Sequence, residues 1–248
     1  MKLQPGTTGS AKEQTFLGMH LRPVYGDGTS TPEEPEEPVV EEDHSMDVAK
    51  TVKDIKGNEM IVPADGVDMG LSVKWATWNV GATQTGIDGK GKAGQYGNYY
   101  SWGSTEPQSS YLSSDYQYYS QPITERTLSA EHDAAQTKWG DGWRMPTEDE
   151  CEELVLNCNA TWTSVDGVSG YRYTSKINGK SIFMPAAGVW TSYVQNPGEY
   201  GYYWTSTKHP SNSALATCLV FDRSGQFNDS SQQYERFGGL QIRPVKAK

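Results

Sequence analysis

The chain has 248 residues, a net charge of −10, 8 Trp and 15 Tyr, and a mean hydropathy of −0.70. No apolar run reaches the roughly 18 residues that a membrane-crossing helix needs, and no basic patch offers a footprint for DNA or RNA. The charge is uneven: nine acids and no Lys or Arg fall within residues 25–48, so −10 minus −9 leaves about −1 for everything else.

Residues 1–6 lack the apolar h-region of a secretory leader, so no signal peptide is expected as the sequence stands; a tag or an already removed leader would explain this. Phe16-Leu17-Gly18-Met19-His20-Leu21-Arg22-Pro23-Val24 repeats Phe237-Gly238-Gly239-Leu240-Gln241-Ile242-Arg243-Pro244-Val245, with five of nine positions identical. Chance similarity is one explanation; the other is that residues 1–24 are a tag plus the closing strand of an upstream repeat. That strand would be β and would dock on a sheet edge of its own or a neighbouring copy. Residues 31–38, rich in Pro and Glu, cannot bury enough apolar surface to fold, so 25–62 is assigned as an acidic linker. All 8 Trp lie between Trp75 and Trp204, which places one globular domain at 63–248 with a core of few, large aromatic side chains.

Within that domain, 69–80 reads as irregular strand, 81–97 as a Gly/Lys loop, 99–102 as a short strand and 104–127 as a long surface loop. Residues 129–139 are predicted as a helix with Ser129 as N-cap and Gly140 as stop. A second helix is predicted over 147–157. Thr147 and Glu150 have capping-box spacing, and Cys151, Leu154 and Val155 form one apolar stripe. Residues 171–185 read as a hairpin, since Asn178-Gly179 suits a type I′ turn. Strands follow at 202–206 and 214–221, Asp222-Arg223-Ser224-Gly225 turns the chain, and 240–245 closes a sheet. Two helices on short, mostly antiparallel sheets with long loops make an α+β domain.

The search for chemistry yields little. His20, His44, His132 and His209 neighbour no nucleophile motif. Glu148, Asp149, Glu150, Glu152 and Glu153 sit at a helix N-terminus, where the dipole favours acids, so they read as a solvated cap. Cys151, Cys158 and Cys218 lack zinc spacing, and Cys218 reads as a small strand residue. Asp222-x-Ser224-x-Gln226-x-Asn228 alternates oxygens but lacks the acidic ligand of a calcium loop. No cofactor or metal is expected. The polar stretches 208–213 and 226–234 have the Asn, Ser, Gln and Tyr content of adaptable recognition surfaces, and equally of solvated turns.

An ordered series of motifs adds a resemblance. Val67-Asp68-Met69-Gly70-Leu71-Ser72-Val73-Lys74-Trp75-Ala76-Thr77 opens it. Tyr96-Gly97-Asn98-Tyr99-Tyr100-Ser101-Trp102-Gly103, Gly142-Trp143-Arg144-Met145-Pro146-Thr147 and Ser181-Ile182-Phe183-Met184-Pro185-Ala186-Ala187-Gly188 continue it. Gly201-Tyr202-Tyr203-Trp204-Thr205-Ser206 and Arg243-Pro244-Val245 close it. Together they resemble the Fibrobacter succinogenes major paralogous domain of gut Bacteroidetes surface proteins. That domain has a C-type-lectin-like fold related to formylglycine-generating enzymes and to the variable proteins of diversity-generating retroelements. Trp78 stands where that family often carries a cysteine, which puts any disulfide at that position in doubt. The residues corresponding to the reactive cysteine pair of the formylglycine enzymes fall in 221–245, which has no cysteine, so that activity is not expected.

The resemblance implies a non-catalytic recognition domain, adhesin or receptor-binding, at a cell or virion surface, facing a protein or glycan ligand and neither nucleic acid nor membrane interior. A formylglycine-type enzyme relative and a purely structural repeat of a surface protein are the alternatives. The ligand contacts expected on the C-terminal face are Lys208, His209, Asn212, Gln226, Asn228, Gln232 and Tyr234, with Tyr200 and Tyr203 as aromatic anchors. Trp143, Pro146 and Trp204 are expected in the core, and Arg144 is expected to be largely buried in a hydrogen-bonded network.

Overall fold

The computed structural model describes residues 49–82, 96–165, 167–227 and 232–248, with the side chains of 226 and 227 left aside. The expectation for the strand at 16–24 and the contact assigned to Asn228 lie outside the described residues, as do the Pro/Glu tether and the tip of the Gly/Lys loop.

Among the described residues there are two α-helices and several small antiparallel sheets, an α+β arrangement. The first sheet is a hairpin, β1 (Ala49–Lys53) and β2 (Glu59–Pro63). The Asp54 carboxylate organises its turn by accepting from the backbone N–H of Lys56 (2.9 Å) and Asn58 (2.8 Å). Val62 is fully buried, and Val52 and Met60 pack on the same core. Lys138 Nζ meets Glu106 at 2.7 Å, as does Lys56, and Ile55 N–H donates to Thr137 O. Residues 49–62 are therefore part of the domain and not the end of the linker. Alternate apolar residues in a stretch of only five were too weak a signal beside the acidic tract that precedes them.

Three distant segments meet in a second sheet. β3 (Lys74–Trp75) and β4 (Trp143–Arg144) flank the closing strand β14 (Val245–Lys246), with Val245 opposite both Trp75 and Arg144. Much of 69–80 and 99–102 is irregular instead of strand; Tyr100 keeps one bridge, to Leu240. The first helix, α1 (Ala134–Trp139), is shorter than predicted. Ser129 opens only a single 3-10 turn, and the cap is Asp133, whose carboxylate accepts from Gln136 N (3.0 Å) and Met145 N (2.8 Å). The second helix, α2 (Glu148–Asn157), has the expected capping box. Glu150 N donates to Thr147 Oγ1, and Thr147 N donates to the Glu150 carboxylate at 2.8 Å. Cys151, Leu154 and Val155 are its buried face.

β5 (Cys158–Val165), β6 (Val168–Ser175) and β7 (Ser181–Pro185) form a meander in the order 5-6-7. The β6–β7 connection differs from the expected turn. Only Gly179 takes positive φ (+74°), and Gly179 N bonds Ser175 O, closing a longer loop over 176–179. β8 (Val189–Trp190) and β9 (Val194–Gln195) make a small hairpin. The last sheet holds β10 (Tyr200–Lys208), β11 (Leu215–Asp222), β12 (Gly225–Phe227) and β13 (Gln233–Glu235), the last two both pairing with β11.

Trp75, Trp102, Trp139, Trp143 and Trp204 are among the largest fully buried side chains, so the core is aromatic as composition indicated. Two buried arginines tie loops to it. Arg243 donates to Asn79 Oδ1 (2.7 Å), Ala76 O (3.0 Å) and Phe183 O (3.0 Å). Arg236 donates to Leu215 O and Ile123 O and lies 4.3 Å over the Trp102 ring. Arg144, expected to be largely buried in a hydrogen-bonded network, is half-buried, its side chain 37% exposed; it donates to Met145 O and forms a bidentate pair with Glu150 at 2.5 and 2.8 Å. The network is there, and the burial is partial.

Candidate functional site

Strand geometry decides which tyrosines of β10 face outward. Side chains alternate faces along a strand, so Tyr200, Tyr202 and Trp204 share one side and Gly201, Tyr203 and Thr205 the other. Tyr203 is 1% exposed, stacks on Phe221 (5.9 Å, 21°), and donates its hydroxyl to Pro185 O at 2.7 Å. It is a core residue, which removes it as a surface anchor. Tyr202, one position earlier, takes that place. It stacks on Tyr200 (6.0 Å, 20°) and meets Tyr234 edge-on (5.8 Å, 70°), while Tyr234 reaches back to buried Trp204 (6.5 Å, 74°). The result is a half-buried tyrosine ladder running from the core outward to Tyr200.

The ladder is held from both sides. Tyr234 sits on β13 opposite Ala216 of β11. Tyr200 is opposite Asp222, whose carboxylate is held below its ordinary range by the Ser224 hydroxyl above all, with further bonds from Ser224 N, Gly225 N and the Tyr200 hydroxyl. That carboxylate accepts from Ser224 N at 2.7 Å and Gly225 N at 3.1 Å. Asp222 thus closes a tight turn with Ser224 and Gly225. Burial pushes the Tyr202 phenol up to about 12, with Tyr234 and Tyr200 adding to it.

The other expected contacts divide. Lys208, His209 and Asn212 lie at the far end of β10; eight strand steps separate Lys208 from Tyr200, roughly 26 Å at 3.3 Å each. There the turn is self-organised: His209 Nδ1 accepts from Asn212 N (2.9 Å), and Asn212 Oδ1 accepts from Ala214 N (2.9 Å). Lys208 Nζ donates to Thr124 O, and its backbone N–H donates to Arg126 O at 2.7 Å, tying it to the 104–127 loop. Gln226 pairs through its backbone with Phe221 in β12, and the Gln232 carbonyl accepts from Cys218 N at 3.1 Å. The structure therefore brings Tyr200, Tyr202 and Tyr234 together; Lys208 lies far from Tyr200 and pairs with Ala216, the residue that Tyr234 faces from the other side of β11.

A second concave feature went unnoticed in sequence. A cleft of about 410 Å³ is lined by Tyr96, Asn98, Tyr99, Gln108, Tyr111 and Trp190, among others. Trp190 meets Tyr99 edge-on at 5.4 Å and Tyr111 at 5.6 Å. The Tyr111 hydroxyl donates to Tyr99 O, which pins the 104–127 loop inward, while the Trp190 indole N–H is buried without a partner. The aromatic residues were visible in the sequence, but they come from three segments whose meeting no local pattern announces.

All three cysteines are free and buried. Burial raises Cys151 and Cys218 well above the ordinary thiol range and Cys158 to about 11, the reverse of what a thiolate nucleophile needs. Among the described residues, no three His, Cys, Asp or Glu side chains converge as a metal site, and no helix is long and apolar enough to cross a membrane. Comparison with family models, with curated proteins and with solved structures returned no match.

Proposed function

We propose that this is a non-catalytic recognition domain of C-type-lectin-like architecture that binds a protein or glycan outside the cell through the tyrosine ladder. The observation carrying the reading is the Tyr200–Tyr202–Tyr234 arrangement: three adaptable aromatic side chains, braced by a rigid sheet and a buried tryptophan. Tyrosine gives contact area and a hydroxyl at low entropic cost, which suits recognition. The pairing of an early and a late strand around β14, two helices and long stapled loops supports the lectin-like architecture. The buried, protonated cysteines argue against the formylglycine-type alternative.

The test is a protein and glycan array probed with the domain, repeated with Tyr202→Ala and Tyr234→Ala. Loss of the bound spots with the fold kept and the melting temperature lowered by only a few degrees supports the ladder. A second reading puts the ligand in the cleft beside Trp190, favoured by that unpartnered indole N–H. Retained binding in the ladder variants with loss in Trp190→Phe would select it.

A further inference from the structure

β5 is the edge strand of its sheet: among the described residues it pairs with β6 alone, along its whole length. Its eight residues, Cys-Asn-Ala-Thr-Trp-Thr-Ser-Val, carry no charge and no proline. Sheet edges present rows of unpaired N–H and C=O groups, and proteins usually blunt them with lysine, proline, bulges or short length. The β1 edge follows that rule, with five residues that include Lys50 and Lys53. The β5 edge breaks it. Asn159, Thr161 and Ser164 are exposed, while Ala160 and Trp162 pack toward the core. Leu156 (68% exposed) and Ile177 (60%) lie at one end of this edge, where Lys176 bonds the carbonyls of Leu156 and Asn157.

We propose that the β5 edge pairs antiparallel with the β5 edge of a second copy of the chain, extending the meander into one six-stranded sheet across a two-fold axis. The strand itself points to a second copy. An antiparallel edge is self-complementary and closes as a dimer. Because it is uncharged, two copies meet without the like-charge opposition that destabilises cross-strand pairs. The register is restricted too. Keeping Cys158, Ala160 and Trp162 on the core-facing side of both copies requires residues of like parity to oppose each other, with Thr161 or Trp162 on the axis. Trp162 is half-buried, edge-on to Tyr171 at 5.2 Å, and gains its remaining cover in such a pairing. β5 carries none of the candidate ligand residues, so this surface stands independently of the proposed function. If both hold, one particle presents two tyrosine ladders and gains avidity.

The test is sedimentation velocity of the full chain from micromolar to sub-millimolar concentration. The expected result is a monomer–dimer equilibrium, weakened by about tenfold or more in Thr161→Lys, which places like charges at or beside the axis, and in Asn159→Lys, which puts a charge into the uncharged edge. Both positions are exposed, so melting of the monomer should be unchanged. Thr51→Glu, on the β1 edge, should leave the dimer intact. A chain that stays monomeric throughout, or a dimer indifferent to both β5 substitutions or dissolved only by the β1 change, overturns the proposal.

Discussion

Tyr202 and Tyr203 are neighbours in sequence and opposites in the fold, which makes them a clean test of the site. Replacing Tyr203 by Phe removes a hydroxyl that donates to Pro185 O at 2.7 Å and accepts from Asn79 Nδ2 at 3.3 Å. Both partners keep another bond: Pro185 O still receives Ala187 N, and Asn79 Nδ2 still donates to Tyr96 O. The cost therefore belongs at the level of one net hydrogen bond, about 1–1.5 kcal/mol. For a domain of this size that is roughly a 3–5 °C drop in melting temperature. Tyr203→Ala also removes a ring stacked on Phe221 and leaves a cavity, costing about 3–5 kcal/mol. Tyr202→Ala loses contacts with Tyr200, Tyr234 and the rim of the core at a half-open surface, about 1–2 kcal/mol, while removing the middle of the ladder. Thermal melts followed by circular dichroism, beside binding to whatever the array identifies, separate the two roles. If Tyr203→Phe melts like the parent chain, or Tyr202→Ala destabilises more than Tyr203→Ala, the assignment of faces along β10 is wrong.

Burial raises the phenols of Tyr111, Tyr202 and Tyr203 to about 12 from an ordinary value of 10, so the folded state holds protons that the unfolded state releases. Their contribution is whole below pH 10 and is lost as pH rises through 12. Part of the tyrosinate absorbance should therefore appear only together with unfolding, and full ionisation of all 15 tyrosines in a chain still folded near pH 10 would contradict this. Val62→Ala should cost about 2 kcal/mol in denaturant unfolding if the β1–β2 hairpin belongs to the core, and almost nothing if it is linker. Thr147→Ala should cost about 1 kcal/mol, since it removes the cap on α2. None of Cys151, Cys158 and Cys218 should react with a thiol reagent at pH 8 before denaturant is added; fast labelling of the folded chain would show an accessible thiolate.

Where sequence and structure agree, the determinant was local. Thr147 and Glu150 lie three apart, and the box between them needs nothing from elsewhere in the chain. Where they part, a distant group won. Ser129 has as good a capping side chain as Asp133, but only Asp133 also receives the Met145 N–H across the core, so the helix starts there. Asn178-Gly179 invited a two-residue turn. Ser175 Oγ instead accepts the N–H groups of Ile177 (3.0 Å) and Asn178 (3.3 Å), which holds the loop open by two more residues. Arg144 finds its partner close by, since Glu150 lies six residues on, and the pair stays half-buried. Arg243 has no carboxylate partner among the described residues, and donates instead to Asn79, Ala76 and Phe183, far away in sequence.

The candidate site follows the same division. The alternation of β10 puts Tyr200 and Tyr202 on the side of Trp204 and Tyr203 on the other, but a buried Trp204 by itself would send Tyr202 inward, so parity alone does not bring Tyr202 to the surface. What alternation leaves open is which face of a two-sided strand is covered to its end. Here both faces meet core, Phe221 on one side and Trp204 with Cys218 on the other. The ladder is open only because the second covering thins toward Tyr200, where the Asp222 turn replaces side-chain packing with a short hydrogen-bonded bend. A surface site on this sheet is thus a property of where the covering stops, set by β12 and β13, which add to β11 at separate places and leave the phenols of Tyr200, Tyr202 and Tyr234 between them. Lengthening that bend should therefore change access to the ladder without touching a single residue in it. Inserting two glycines after Ser224 should weaken ligand binding while the melting temperature holds, and a loss of stability with binding intact would show the bend to be scaffold alone.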